Sequence, residues 1–127
     1  MARRGSPVLT DAELRLMDVL WSVPNATVND VAEAAGAPPL SHSTVLTTLR
    51  ILERKGYVTH DEINRAYVYR TVVARDDAAS KDIGHVVKRF FSGKPVDLAM
   101  RLVERDRPTD DELRRLKELI ERYEETR

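Results

Sequence analysis

At Lys55-Gly56 the hydrophobic period of this chain changes from 3.6 residues to 2, and that change limits what can lie on either side of it. Before it, in "SHSTVLTTLRILERKGYV" (residues 41–58), Val45, Leu49 and Leu52 recur at the i, i+4, i+7 spacing of an amphipathic helix. After it, "YVTHD" and "RAYVYR" are rich in β-branched and aromatic residues. The polar "EIN" between them supplies a turn, with Asn64 tolerant of a left-handed backbone. A helix running into a β-hairpin is the expectation.

Two shorter helices precede that junction. "LTDAELRLMDVLW" sets Thr10 three residues before Glu13, the spacing of a capping box, and Leu14, Met17, Leu20 and Trp21 then form a core stripe that should stop before Pro24. In "TVNDVAEAAG", Thr27 and Asp30 repeat the cap spacing, Val28, Val31, Ala32 and Ala35 recur at helical spacing, and Gly36 is placed to end the helix left-handed. "APPL" makes a connector, after which Ser41 can cap the third helix. Three helices followed by a hairpin outline a winged helix-turn-helix over residues 1–73, with residues 1–7 expected to be flexible.

From residue 74 onward the pattern is helical alone. Ile83, Val86, Val87, Phe90 and Phe91 form one stripe ending at Gly93, and Pro95 opens a second segment carrying Val96, Leu98, Ala99, Leu102 and Val103. Thr109 and Glu112 form another capping-box pair, followed by Leu113, Leu116, Ile120 and Tyr123 at the spacing of a helix-helix seam, which Leu119 widens. So much apolar stripe on three short helices cannot satisfy itself locally, and a second copy of the chain is the cheapest partner. The fold class expected is mainly α with a small β-hairpin: a winged helix-turn-helix lobe and, over residues 74–127, an α-helical dimerisation lobe.

Composition removes several functions. Cysteine is absent, which excludes disulfides, thiolate metal sites and thiol catalysis. His42, His60 and His85 fall on separate elements with no metal-ligand spacing, and neither a nucleophile elbow nor a glycine-rich phosphate loop is present. No enzyme, no cofactor and no metal are expected. The adjacent pairs Asp76-Asp77 and Asp110-Asp111 sit at helix starts, where the helix dipole favours them. No apolar run reaches the roughly 20 residues of a membrane span, and the start lacks the apolar stretch of a signal peptide, so no membrane partner and a cytoplasmic location are expected. With 21 basic and 21 acidic residues, any nucleic-acid footprint must come from local placement.

The third helix has such placement. Ser43, Thr47, Arg50 and Arg54 project from the face opposite the apolar stripe, with Leu46 and Thr48 on its flanks. The major groove admits one helix and offers acceptors to arginine and hydroxyl donors, and the thymine methyl offers an apolar contact. Ser43, Thr44 and Thr47 are short enough for close backbone approach, Leu46 can meet a methyl, and Arg50 or Arg54 can reach a phosphate or a guanine. Arg65, at the hairpin tip, is suited to the DNA backbone or the narrow minor groove.

"LTDAELRLMDVLW", "STVLTTLRILERKGYV" and "NRAYVYR" together resemble, collinearly, the signature blocks of the penicillinase-repressor (BlaI/MecI-type) winged-helix regulators. With the helical tail, the resemblance covers nearly the whole chain. It implies a homodimeric transcriptional repressor that sets its third helix in the major groove of double-stranded DNA at an inverted-repeat operator and dimerises through its C-terminal helices. By position, Ser41, Ser43, Thr44, Thr47 and Arg65 would contact DNA, and Leu14, Trp21, Val45, Leu49, Leu52 and Tyr69 would be core. The dimerisation surface would comprise Ile83, Val87, Phe90, Phe91, Leu98, Leu102, Leu113, Leu116, Ile120 and Tyr123. In antibiotic-responsive members a membrane-bound sensor leads to cutting at an Asn-Phe bond; Arg101-Leu102 stands at that place here, so an upstream sensor protease would not find that bond. The cysteine motif of copper-responsive relatives is absent.

Two other readings fit the same outline. A small-molecule-responsive regulator would use a pocket near Phe90, Phe91 and the wing. A winged helix used for protein docking would present a contiguous apolar patch on the third helix, where Leu46 alone supplies one.

Overall fold

The computed structural model describes residues 8–126; the flexible start expected over residues 1–7 lies outside the described residues. Among the described residues six helices and three strands follow in the order α1 (Asp11–Ser22), β1 (Ala26–Thr27), α2 (Val28–Ala34), α3 (His42–Arg54), β2 (Val58–Ile63), β3 (Ala66–Thr71), α4 (Arg75–Phe90), α5 (Pro95–Arg105) and α6 (Asp110–Glu125). The chain divides into two compact units, one ending at His85 and the other beginning at Val86, so the division falls within α4.

In the first unit the cap signals act as their spacing dictates. Thr10 and Glu13 close a capping box on α1, Thr27 and Asp30 another on α2, and Ser41 Oγ accepts the Thr44 amide at 3.1 Å to start α3. Gly36 follows α2 with φ 79°, a left-handed conformation that costs glycine no side-chain clash. The core gathers Leu16, Met17 and Leu20 of α1, Val28 and Val31 of α2, Val45, Leu49 and Leu52 of α3, Tyr57, Val58 and Tyr69 of the sheet, and Ala78 of α4. Trp21 packs half-buried at the edge of that cluster, and its Nε1–H donates to the Val73 carbonyl at 2.9 Å.

Three features depart from the sequence expectation. Leu14 is 40% exposed and lies outside the core. At about 100° per residue, the buried arc of α1 is centred on Glu13, Leu16, Met17 and Leu20; Leu14 falls beyond its half-buried flank at Trp21. The hairpin turn is Asn64-Arg65, both at positive φ (51° and 65°), so Glu62 and Ile63 belong to β2 and Arg65 to the turn. Two residues with φ above zero are what a two-residue turn between twisted antiparallel strands requires. The sheet also has a third strand: β1 pairs with β3 through Ala26–Tyr69 and Thr27–Val68, in the order β1-β3-β2. A two-residue strand carries no period of its own, which is why the spacing of apolar residues does not announce it.

In the second unit, Pro95 occupies the start of α5, and Thr109 with Glu112 caps α6. The amide and hydroxyl of Thr109 hold the Glu112 carboxyl below its ordinary value. Neither α5 nor α6 contains a buried residue.

Candidate nucleic-acid interface

Between α2 and α3 the connector is tied down by Leu40, packed against the core, and by an arginine. Arg15, on α1, donates from Nε to the Ala35 carbonyl and from Nη2 to the Gly36 carbonyl, each at 2.9 Å, and also to the Pro38 carbonyl. The planar guanidinium thus satisfies orphan carbonyls at the C-terminus of α2 and in the turn, fixing where α3 begins. A buried ion pair then anchors the far end of α3: Lys55 Nζ meets Glu13 Oε1 at 2.6 Å and also donates to the Val8 carbonyl at 3.1 Å. Glu13 is simultaneously the capping-box acceptor of the Thr10 amide, at 2.8 Å.

So held, α3 buries Val45, Leu49 and Leu52 and turns Ser43, Thr44, Thr47, Arg50 and Arg54 to the exterior. At its N-terminus the hydroxyls form a cluster: Ser41 Oγ lies 3.2 Å from Ser43 Oγ and donates to Thr44 Oγ1 at 2.8 Å. Ser41 is therefore the helix cap as well as an exposed residue. Leu46 is half-buried against the edge of the core, and Thr48, also half-buried, returns its hydroxyl to the Thr44 carbonyl at 2.8 Å. Arg65 stands exposed in the turn of the hairpin.

At the root of that hairpin His60 of β2 points its Nδ1 at both oxygens of Glu53, at 2.7 and 2.9 Å. Its ring lies against Tyr67 and Tyr69 of β3, with centroids 4.7 and 5.2 Å away. Burial raises the Tyr69 phenol above its ordinary value, with Glu53 adding to the effect and Arg50 opposing it. Arg15, Lys55 and the Glu53–His60 pair escape a reading of local pattern because their partners lie elsewhere in the chain; only the Glu13 cap position carries a local signal.

On α4, Val87 is buried, whereas Ile83 and Phe90 are exposed; Phe91, just past the helix, is half-buried. On α5 and α6, Leu98 is half-buried, and Leu102, Leu113, Leu116, Ile120 and Tyr123 are all exposed, as are Val96, Met100 and Leu119. Phe90, Ile120 and Tyr123 are 67%, 57% and 69% exposed, a large apolar display on helices that bury little. Among the described residues no group of histidine and carboxylate side chains is arranged to hold a metal ion, and no helix is long and apolar enough to cross a membrane.

This architecture is that of a winged helix-turn-helix, with a polar, basic face on α3. The penicillinase repressor family profile matches residues 9–122, and the chain belongs to that family. It is 26% identical over 118 residues to the penicillinase repressor of Bacillus licheniformis, covering 92% of each chain. To the methicillin resistance regulatory protein MecI of Staphylococcus aureus it is 22% identical over 113 residues, covering 88% of this chain and 92% of the relative. The solution structure of the DNA binding domain of the repressor BlaI superposes with a TM-score of 0.50 at 30% identity, over 59% of this chain and 93% of that domain.

Proposed function

We propose that this protein is a homodimeric, sequence-specific transcriptional repressor that inserts α3 of each protomer into the major groove of an inverted-repeat operator. It acts in the cytoplasm and represses by occupancy, covering promoter DNA against polymerase. The observation that carries the reading is the exterior of α3, where Ser43, Thr47, Arg50 and Arg54 occupy one exposed face of a helix whose opposite face is locked into the core. Short hydroxyl side chains permit close approach to base edges, and the two arginines supply charge for guanine or phosphate. Membership of a family whose relatives include named repressors, and likeness to a solved DNA-binding domain, support the same reading.

Arg65 at the turn carries the second contact, to the DNA backbone or the minor groove beside the docked helix. The turn itself argues for this: its second position, at φ 65°, is one where glycine is the unstrained residue, and arginine there costs roughly 1 kcal/mol. Dimerisation through α4, α5 and α6 covers the apolar residues those helices leave exposed. Two-fold symmetry then sets the half-sites about 34 Å apart, or a multiple of that, on one face of the duplex.

Thr47→Ala and Arg65→Ala separate the two kinds of contact. Thr47→Ala is expected to weaken the preferred site while leaving random duplex unchanged, whereas Arg65→Ala should weaken both by similar factors and flatten the salt dependence by about one phosphate. Titrations of both variants against operator and scrambled DNA measure this. Equal losses for Thr47→Ala on both duplexes would contradict base reading by α3.

A further inference from the structure

The outer part of the wing has few ties to the rest of its unit. Asp61, Glu62, Ile63, Asn64, Arg65 and Tyr67 are all exposed, and β1 pairs only with Val68 and Tyr69, on the edge of β3 away from β2. A two-stranded ribbon without a packed face is marginal in water, so its angle must be set from its root. On the β2 side Val58 lies in the core with Leu49 and Leu52 of α3, and beyond it, toward the turn, Glu53–His60 ties the strand to the helix. The carboxylate is acceptor only, so Nδ1 carries the proton and donates to both oxygens, at 2.7 and 2.9 Å. His60 is cross-strand partner to Tyr69, and its ring rests on Tyr69 and Tyr67, so it is gripped by β3 as well. Tyr69 is fully buried, whereas Glu53 is in the last turn of α3, one turn beyond Arg50. One imidazole therefore joins three things: the C-terminal turn of α3, the middle of β2, and the aromatic pair of β3.

We infer that His60, braced by Glu53, is a positioning residue that fixes the wing at a set angle to α3, so that Arg65 meets DNA when α3 is seated in the groove. The inference rests on the DNA-binding reading above. At about 3.3 Å per residue, the three steps from His60 to Ile63 place the turn about 10 Å beyond the brace, so a rotation of about 20° at His60 moves the turn by about 3.5 Å. Glu53 is itself an anionic group on the helix offered to DNA. Its removal relieves repulsion of phosphate while releasing the wing, so affinity alone is a poor reporter and coupling to Arg65 is the better one.

The experiment uses the full chain and a double-mutant cycle on operator DNA. Arg65→Ala in the otherwise unchanged chain should weaken binding about tenfold; in a His60→Ala background the same change should cost less than about twofold if the wing no longer delivers the arginine. Glu53→Ala should abolish the coupling in the same way, and Glu53→Gln, whose amide oxygen still accepts from Nδ1–H, should restore most of it. In the DNA-free chain, hydrogen exchange at residues 61–67 should accelerate in His60→Ala while the amides of Leu49 and Leu52 keep their protection. An undiminished Arg65 effect in the His60→Ala background, or unchanged exchange in the wing, would overturn the brace and leave the DNA reading intact. Faster wing exchange in a protein that binds no DNA would overturn the positioning role together with the DNA reading, while retaining the mechanical contact.

Discussion

Arg65 concentrates the residue-scale argument, because its backbone and its side chain pull in opposite directions. The backbone, at φ 65° after Asn64 at φ 51°, would be better served by glycine. On the proposed DNA contact, the side chain offsets that cost by what it reaches. Arg65→Gly is therefore expected to raise stability by about 1 kcal/mol, a rise of several degrees in Tm, while weakening DNA binding about tenfold. Thermal melting and DNA titration on the same preparation check both arms, and a variant that loses stability and affinity together would count against the assignment. The identity of this residue was legible from the sequence, as was its place near the hairpin tip. Its left-handed backbone was not, because the turn falls one residue later than the polar "EIN" suggests, and that register is decided by pairing along β2 and β3.

At the scale of elements, helix starts were the most legible features, since a capping box is complete within four residues and needs no tertiary partner. The ties between elements were least legible. Lys55 reads as the charged end of α3, yet its ammonium crosses to Glu13 of α1, with side chains only 11% and 5% exposed. Arg15 belongs to no motif legible in the sequence, yet it fastens the connector before α3. Leu14 went the other way, assigned to the core by spacing and left outside because the carboxyl of Glu13 occupies the buried arc. The Glu13–Lys55 pair yields a sharp expectation, since removing one partner leaves the other buried and uncompensated. Lys55→Met should cost about 3 kcal/mol, seen in urea unfolding as a lower midpoint at unchanged slope. A loss below about 1 kcal/mol would place the pair with ordinary surface ion pairs.

For the whole molecule, the two compact units divide the work proposed here: one presents α3 and the wing, the other carries the exposed apolar residues of α5, α6 and the end of α4. The apolar stripes of the second unit were legible as stripes, including Leu113, Leu116, Ile120 and Tyr123. In the dimer proposed here their cover belongs to a pair of chains, and a single sequence carries it only as an excess of unburied side chains. Ile120→Asp places a charge in that surface and should shift the protein from dimer to monomer in sedimentation, with operator affinity falling at least about tenfold as the two half-sites cease to be bound together. A dimer that persists unchanged would move the interface away from α6. The central claim is tested most directly by fluorescence anisotropy of the purified full chain against the DNA just upstream of its own gene and against a scrambled duplex, at two salt concentrations. Saturable binding that prefers the upstream duplex and weakens steeply with salt is the predicted result. A folded protein that binds neither duplex at low salt would contradict it.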